Sequence, residues 1–305
     1  MDIDFLLWLQ SIRTEYLTSL ALFISDLIPY MKFPAIFIYW CINKKKGLFV
    51  LVSFGLSYFI NGLLKGIFCV YRPFIKDSRV IPLDKEGGYS FPSGHVMLVT
   101  PLLGGYAVLC RKKTQIISWI MGLLIILMIL SRLYIGVHTP QDVITGVLLS
   151  LLTLYITAKI FAFIERRPES EKFFLLTGII ICIAAFVYLY FKSYPVDYDS
   201  AGKILVKPDS ARASTIGNIG NLAGILIGFY IDKKFIKFSY KSVNFRGVLL
   251  AVIGIAFYYY FASSYIEDAL KILCSSTYRK FMRYFIESIF IVVIWPAVIK
   301  LFTRK

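Results

Sequence analysis

Apolar residues fall in blocks along this chain, and the polar residues gather between them. About nine blocks are long enough to cross a bilayer as α-helix, for which roughly 17–25 residues suffice. Their approximate limits are Leu17–Ile42, Phe49–Val70, Val96–Cys110, Ile116–Leu130, Val143–Ile164, Phe173–Tyr190, Ile216–Ile231, Val248–Ala262 and Phe285–Phe302. The third and eighth are short and must draw on flanking residues. The first carries Asp26 and Lys32 and is interrupted by Pro29 and Pro34, so it reads as a surface helix leading into a kinked span. The strict alternation of barrel strands is missing, and the pattern predicts an all-α, polytopic transmembrane helical bundle. Within Ile216–Ile231, Gly220, Gly224 and Gly228 recur every fourth residue and form a groove for close approach of a neighbouring helix. Glu287, in the last block, is read as lying near a helix end or pairing inside the bundle.

Composition sharpens this picture. The chain is 58% hydrophobic with mean hydropathy +0.72, which excludes an ordinary soluble domain. The opening MDIDFLLWLQ has no basic start and no small-residue cleavage site, so a cleaved signal peptide is not expected. The net charge of +16 could suggest nucleic acid, but the cations sit largely in short loops between spans, where orientation and anionic headgroups favour them. No nucleic-acid partner is therefore expected. Lys44–Lys45–Lys46, Arg111–Lys112–Lys113, Arg166–Arg167 and the Lys233–Lys241 stretch share one side if the span count holds. The alternate loops mix cations with acids. That bias puts the N-terminus outside, the C-terminus inside, and both histidines of the chain on the non-cytoplasmic face of a bacterial inner membrane or an ER-type membrane. The five cysteines show no CxxC and no metal spacing, so neither a disulfide framework nor a zinc site is expected.

Three short polar runs border the second to fifth blocks. Lys65 and Arg72 lie seven residues apart, two helical turns, and would project from one face roughly 10 Å apart. Pro92–Ser93–Gly94–His95 precedes the third block. There, Pro and Ser suit a helix start, Gly lets a ligand approach the backbone, and the first amides of the helix form a ready anion site. Ser131–Arg132 closes the fourth block, and His138 and Asp142 open the fifth. Four residues apart on a helix, Asp142 can accept a hydrogen bond from one ring nitrogen of His138 and leave the other as an outward lone pair. Cations, helix amides, an oriented histidine and a second histidine are what metal-free phosphoryl transfer requires.

These runs, Lys65-x6-Arg72-Pro73, Pro92-Ser93-Gly94-His95 and Ser131-Arg132-x5-His138-x3-Asp142, resemble the three motifs of the type 2 phosphatidic acid phosphatase (PAP2) superfamily. The resemblance covers roughly Phe49 to Ile164. It implies a metal-independent phosphatase on a helical bundle, needing no cofactor. His138 would be the nucleophile that forms a phosphohistidine, with Asp142 its partner. His95 would be the general acid for the leaving alcohol and then the base for water. Lys65, Arg72, Ser93, Gly94 and Arg132 would hold phosphate.

The expected organisation is an N-terminal surface helix and first span in 1–48, a PAP2-type core in 49–164, and further spans in 165–305. About nine spans with an outside N-terminus is similar in topology to the glucose-6-phosphatase and sphingosine-phosphate phosphatase branches. The expected activity is hydrolysis of a lipid phosphate or diphosphate, with phosphorylated lipid and membrane lipids as partners and a homodimer as an option. A lipid-to-lipid phosphotransferase, a sugar-phosphate phosphatase and a non-catalytic transporter or scaffold are the alternatives. The segment Phe74–Phe91 is expected to line the headgroup pocket, and Asp26 could steady a motif cation.

Overall fold

Prolines and side-chain caps decide where the helices of this chain begin. Thr14, Asn43, Thr139 and Asn244 each accept a hydrogen bond from the backbone amide three residues on, which satisfies an amide that the first helical turn leaves free. Pro73, Pro140 and Pro208 stand at first helical positions, where a missing N–H costs nothing. The computed structural model describes residues 2–84, 86–110, 115–262 and 265–303. It contains helices α1 (Asp2–Ser11), α2 (Glu15–Asp26), α3 (Ile28–Met31), α4 (Phe33–Phe37), α5 (Lys44–Phe68), α6 (Pro73–Lys76), α7 (Gly94–Cys110) and α8 (Gln115–Tyr134). These are followed by α9 (Pro140–Arg166), α10 (Glu171–Phe191), α11 (Pro208–Ile231), α12 (Phe245–Phe257), α13 (Tyr265–Leu273), α14 (Ser276–Ile289) and α15 (Trp295–Thr303). Among the described residues the sole β-type pairing is an isolated bridge between Tyr198 and Ile204.

Among the described residues, seven helical segments are long and apolar enough to cross a membrane, and two shorter apolar helices, Gly94–Cys110 and Phe245–Tyr260, join them. Each of the nine blocks read from the sequence coincides with one of these. The first is broken as its prolines require, into α2, α3, α4 and a π-helical turn at Ile38–Ile42. The apolar surface faces outward as well as inward: only 17% of the apolar window in Pro168–Phe191 is buried, the mark of a helix solvated by lipid rather than by protein. The chain is an integral membrane protein.

The glycine stripe packs as its spacing requires. A Cβ on Gly224 would lie 2.7 Å from the Phe285 carbonyl oxygen and one on Gly228 3.1 Å from Val292 Cβ, so only glycine lets α11 and the last span meet at this distance. The main core gathers Tyr39, Trp40, Leu102 and Met128, and Trp40 donates to the Ile291 carbonyl at 2.8 Å.

Ion pairs join the loops at one end of the bundle: Lys44 with Asp232, Lys45 with Glu165, and Lys233 with Glu171 at 2.6 Å. The basic stretches around Lys44, Arg166 and Lys233 therefore share an end, as the charge pattern requires. Arg111, Lys112 and Lys113 lie outside the described residues. The motif residues collect at the opposite end.

Candidate active site

The site is built where α5, α7, α8 and α9 end or begin together, roofed by residues 86–93. Each motif delivers its residues by a different local device. α5 stops because Cys69 takes a left-handed conformation, φ 49°, and its amide closes the last turn on the Lys65 carbonyl at 3.1 Å. Arg72 then has an extended backbone and caps α6. The expected two-turn helical spacing of Lys65 and Arg72 is thus corrected: the helix ends between them at Phe68, where left-handed Cys69 turns the chain, and Pro73 keeps Arg72 extended. Both still arrive at the site. Lys65 Nζ donates to the Tyr89 carbonyl at 2.7 Å. Arg72 Nη1 donates to the Val137 carbonyl at 3.0 Å and lies 3.4 Å from His138 Nε2.

Ser93 is fully buried at the entry to α7, and its amide donates to the Asp142 carbonyl at 3.0 Å, which ties the second motif to the third. Its hydroxyl has no hydrogen-bond partner among the described residues. A Cβ on Gly94 would meet Asn61 Oδ1 at 3.5 Å and Lys65 Nζ at 4.0 Å, so the glycine keeps the backbone open toward the cations. Asn61 in turn holds the Pro92 carbonyl at 3.0 Å. Arg132 ends α8 completely buried and donates to Ser25 and to Glu86. The carboxylate at Asp26 is exposed, and the hydroxyl one residue earlier is what steadies this cation.

His138 is fully buried just before α9. Thr139 and Asp142 form a reciprocal capping box, in which the Thr139 amide donates to Asp142 Oδ2 at 2.8 Å. That same oxygen lies 3.4 Å from His138 Nδ1, a long contact for a charge-assisted hydrogen bond. A hydroxyl that the sequence did not single out fills in. Ser90 donates to Asp142 Oδ2 at 2.5 Å, and its Oγ stands 3.2 Å from His138 Nδ1. The direct histidine–carboxylate pair expected from i,i+4 spacing is therefore a bridged triangle. Asp142 serves the helix cap first, which holds its carboxylate slightly back from the ring.

Glu86 is the second residue missed. Its Oε2 pairs with Arg72 Nη2 at 2.8 Å, its Oε1 with Arg132, and its Oε1 lies 3.4 Å from His95 Nε2. One carboxylate thereby links two motif cations and one motif histidine. Burial alone would raise its pKa, but His95 and the guanidinium groups of Arg132 and Arg72 outweigh that and hold it well below the usual carboxylate range. His138 moves the same way for different reasons. Burial first, then the charges of Arg72, Lys65 and Arg132, hold its imidazole well below the ordinary value and so neutral at neutral pH.

All eight residues expected from the sequence (Lys65, Arg72, Ser93, Gly94, His95, Arg132, His138 and Asp142) thus converge on one end of the bundle. Buried cations and two histidines thus meet at one end of an apolar helical bundle, a donor set whose chemistry suits a phosphate ester. Residues 46–166 match the PAP2 superfamily model. Among similar proteins, human sphingosine-1-phosphate phosphatase 2 is 28% identical over 65% of this chain and 48% of its own. The undecaprenyl-diphosphatase of Sulfolobus acidocaldarius is 31% identical over 39% of this chain and 56% of its own. Phosphatidylglycerophosphatase B of Bacillus subtilis is 33% identical over 36% of this chain and 55% of its own. The chain spans about half the length of these relatives.

Proposed function

We propose that this protein is a metal-independent membrane phosphatase that hydrolyses a lipid phosphate or diphosphate through a phosphohistidine. In this reading His138 Nε2, neutral and facing Arg72, attacks phosphorus. The P–O bond to the lipid breaks, and His95 gives its proton to the departing oxygen. Water then attacks the phosphohistidine, His95 takes a proton from it, the P–N bond breaks, and inorganic phosphate leaves. Arg72, Arg132, Lys65 and the first amides of α7 carry the charge that develops on the equatorial oxygens. Asp142 and Ser90 hold the Nδ1 side of His138 so that Nε2 keeps its lone pair.

The observation that carries the lipid reading is the apolar surface at the level of the site. Leu130, two residues before Arg132, is 52% exposed, and Ile144, two residues after Asp142, is 59% exposed. Phe68 is 55% exposed and packs edge-on against Phe91, next to the Pro92–His95 run. Large apolar side chains at that height belong against acyl chains, so a substrate tail can stay in the bilayer while its phosphate enters the site. A soluble sugar phosphate would make no use of this surface. The names of the three relatives also support phosphorylated lipids. The positive-inside pattern supports a site on the non-cytoplasmic face.

The test is inorganic phosphate release by the full chain in detergent with EDTA present, across lipid monophosphates, lipid diphosphates and glucose 6-phosphate. Release from the lipids, resistant to EDTA and absent in His138→Ala, is the expected result. Release only from the sugar phosphate would replace the lipid reading, and inhibition by EDTA would remove the metal-free mechanism. Labelled phosphate appearing in a second lipid instead of in water would make the protein a transferase.

A further inference from the structure

Glu86 stands where the substrate's phosphate has to go. The guanidinium donors of Arg72 and Arg132 that the mechanism assigns to phosphate oxygens are engaged on its two carboxylate oxygens, and His95 Nε2 faces one of them. The segment also closes over the nucleophile. The Gly87 carbonyl accepts from Arg72 Nη2 at 3.0 Å, and His138 has no exposed surface. A carboxylate and a phosphate oxygen pair present the same acceptor geometry to a guanidinium fork, so one can stand in for the other. The backbone beside Glu86 is built to let it leave. Gly88 has φ +70°, and a Cβ on either Gly87 or Gly88 would meet nothing within 4 Å. The anchors on either side are firm: Gln10 accepts from the Ile81 amide at 2.8 Å, and the Ser90 amide donates to the Val70 carbonyl at 2.7 Å.

We propose that Glu86 is a built-in competitor for the phosphate cradle: an autoinhibitory carboxylate that holds Arg72 and Arg132 between turnovers and must be displaced by each incoming phosphate. This inference rests on the phosphate-cradle reading of the site, though not on turnover itself. The exchange keeps two buried guanidinium groups paired at every stage, which matters because an unpaired buried charge is costly. It also lowers the apparent affinity for every anion by the fraction of time the cradle is open. Weak anions and product phosphate are kept out, and the returning carboxylate helps expel product after hydrolysis.

The experiment is calorimetric titration of the purified full-length chain with inorganic phosphate, comparing wild type with Glu86→Gln and Glu86→Ala. Removing the competitor is expected to tighten phosphate binding about tenfold or more in both variants. Unchanged or weaker binding overturns the inference; weaker binding would make Glu86 an organiser of the two arginines. If both variants lose their fold, millimolar phosphate must restore their thermal stability, because the anion would refill the emptied cradle. A failure of phosphate to rescue them also overturns the inference. Phosphate release by wild type without any tightening in the variants would sink this inference and leave the phosphatase reading intact. Tightening in a protein that hydrolyses nothing would do the reverse.

Discussion

Two glutamates in this bundle sit among cations, and they do different work. Glu287, in the last span, accepts from Arg283 Nε at 2.9 Å and from the Tyr258 hydroxyl at 2.6 Å, with Lys32 Nζ 4.0 Å away. Lys32 is itself held by Tyr258 at 2.5 Å. Every member of this group stands on or beside a membrane-spanning helix, at one wall of a cavity of about 220 Å³. Glu86 also bridges two cations, but from a loop, beside two glycines and in contact with a histidine. On the two arginines it bridges, Arg72 Nε and Arg132 Nε have no hydrogen-bond partner among the described residues. Charges carried on packed helices brace a fold, whereas the Glu86 carboxylate sits on a loop next to two glycines, where an incoming anion can exchange with it in the proposed mechanism.

The sharpest way to break this comparison is to remove one residue from each region. His138→Ala should abolish phosphate release, a loss on the order of 10⁴-fold or more, while the protein stays folded. Substantial residual activity would mean that another group attacks phosphorus. Asp142→Asn should cost ~10⁴-fold as well, by the logic of an orienting carboxylate. Because Asp142 also caps α9 through the Thr139 amide, the amide variant keeps a cap acceptor and isolates the electrostatic part. A loss smaller than tenfold in the Asn variant would assign Asp142 to the cap alone. Glu287→Ala should act through stability instead, removing the buried carboxylate that accepts from Tyr258 and Arg283 and faces Lys32, at a cost of about 3–5 kcal/mol. The reading is a lower unfolding temperature in detergent, with activity per folded molecule retained at low temperature. Loss of activity without loss of stability would move the Glu287 group from brace to function.

The sequence made the helices legible because length and apolarity alone define a span, and it made the eight motif residues legible because they cluster in short runs. What it hid follows from where the missing partners lie. Glu86 and Ser90 reach the site from a segment without helical or strand periodicity, so no spacing rule connects them with Arg132, 46 residues on, or with His138, 48 residues on. Ser25 meets Arg132 across 107 residues, through the broken first span. Its neighbour Asp26 carries the charge but is exposed, while the buried Ser25 hydroxyl makes the contact. The seven-residue spacing of Lys65 and Arg72 misled for a physical reason, since α5 stops at Phe68 and the left-handed Cys69 changes the direction of the chain.

Ser90 offers a smaller effect that sharpens the account of His138. Its hydroxyl stands between ring and carboxylate, so Ser90→Ala removes an outer-shell partner without touching substrate. Such removals cost about 10–100-fold, and that is the loss expected in kcat. Glycine at this position should do no better, whereas Thr, which restores the hydroxyl, should recover most of the rate. Unchanged kcat in Ser90→Ala would mean that the 3.4 Å contact between Asp142 and His138 orients the ring unaided.

The smallest expected effect is on pH, and its smallness is the point. The attacking imidazole must be neutral, and the neutral fraction falls as pH drops through its pKa. A histidine at the ordinary value of 6.5 would lose about fourfold in rate between pH 7.5 and 6.0. Burial, then Arg72, Lys65 and Arg132, hold His138 well below that value, so the rate should change by less than about twofold over this interval. The comparison requires correction for the substrate's own second ionisation, near pH 6. A corrected acid limb centred at 6.5 would show that the cations around His138 do not act on it in the working enzyme. The recess would then be open to water during turnover, unlike the Glu86-closed form in which His138 is fully buried.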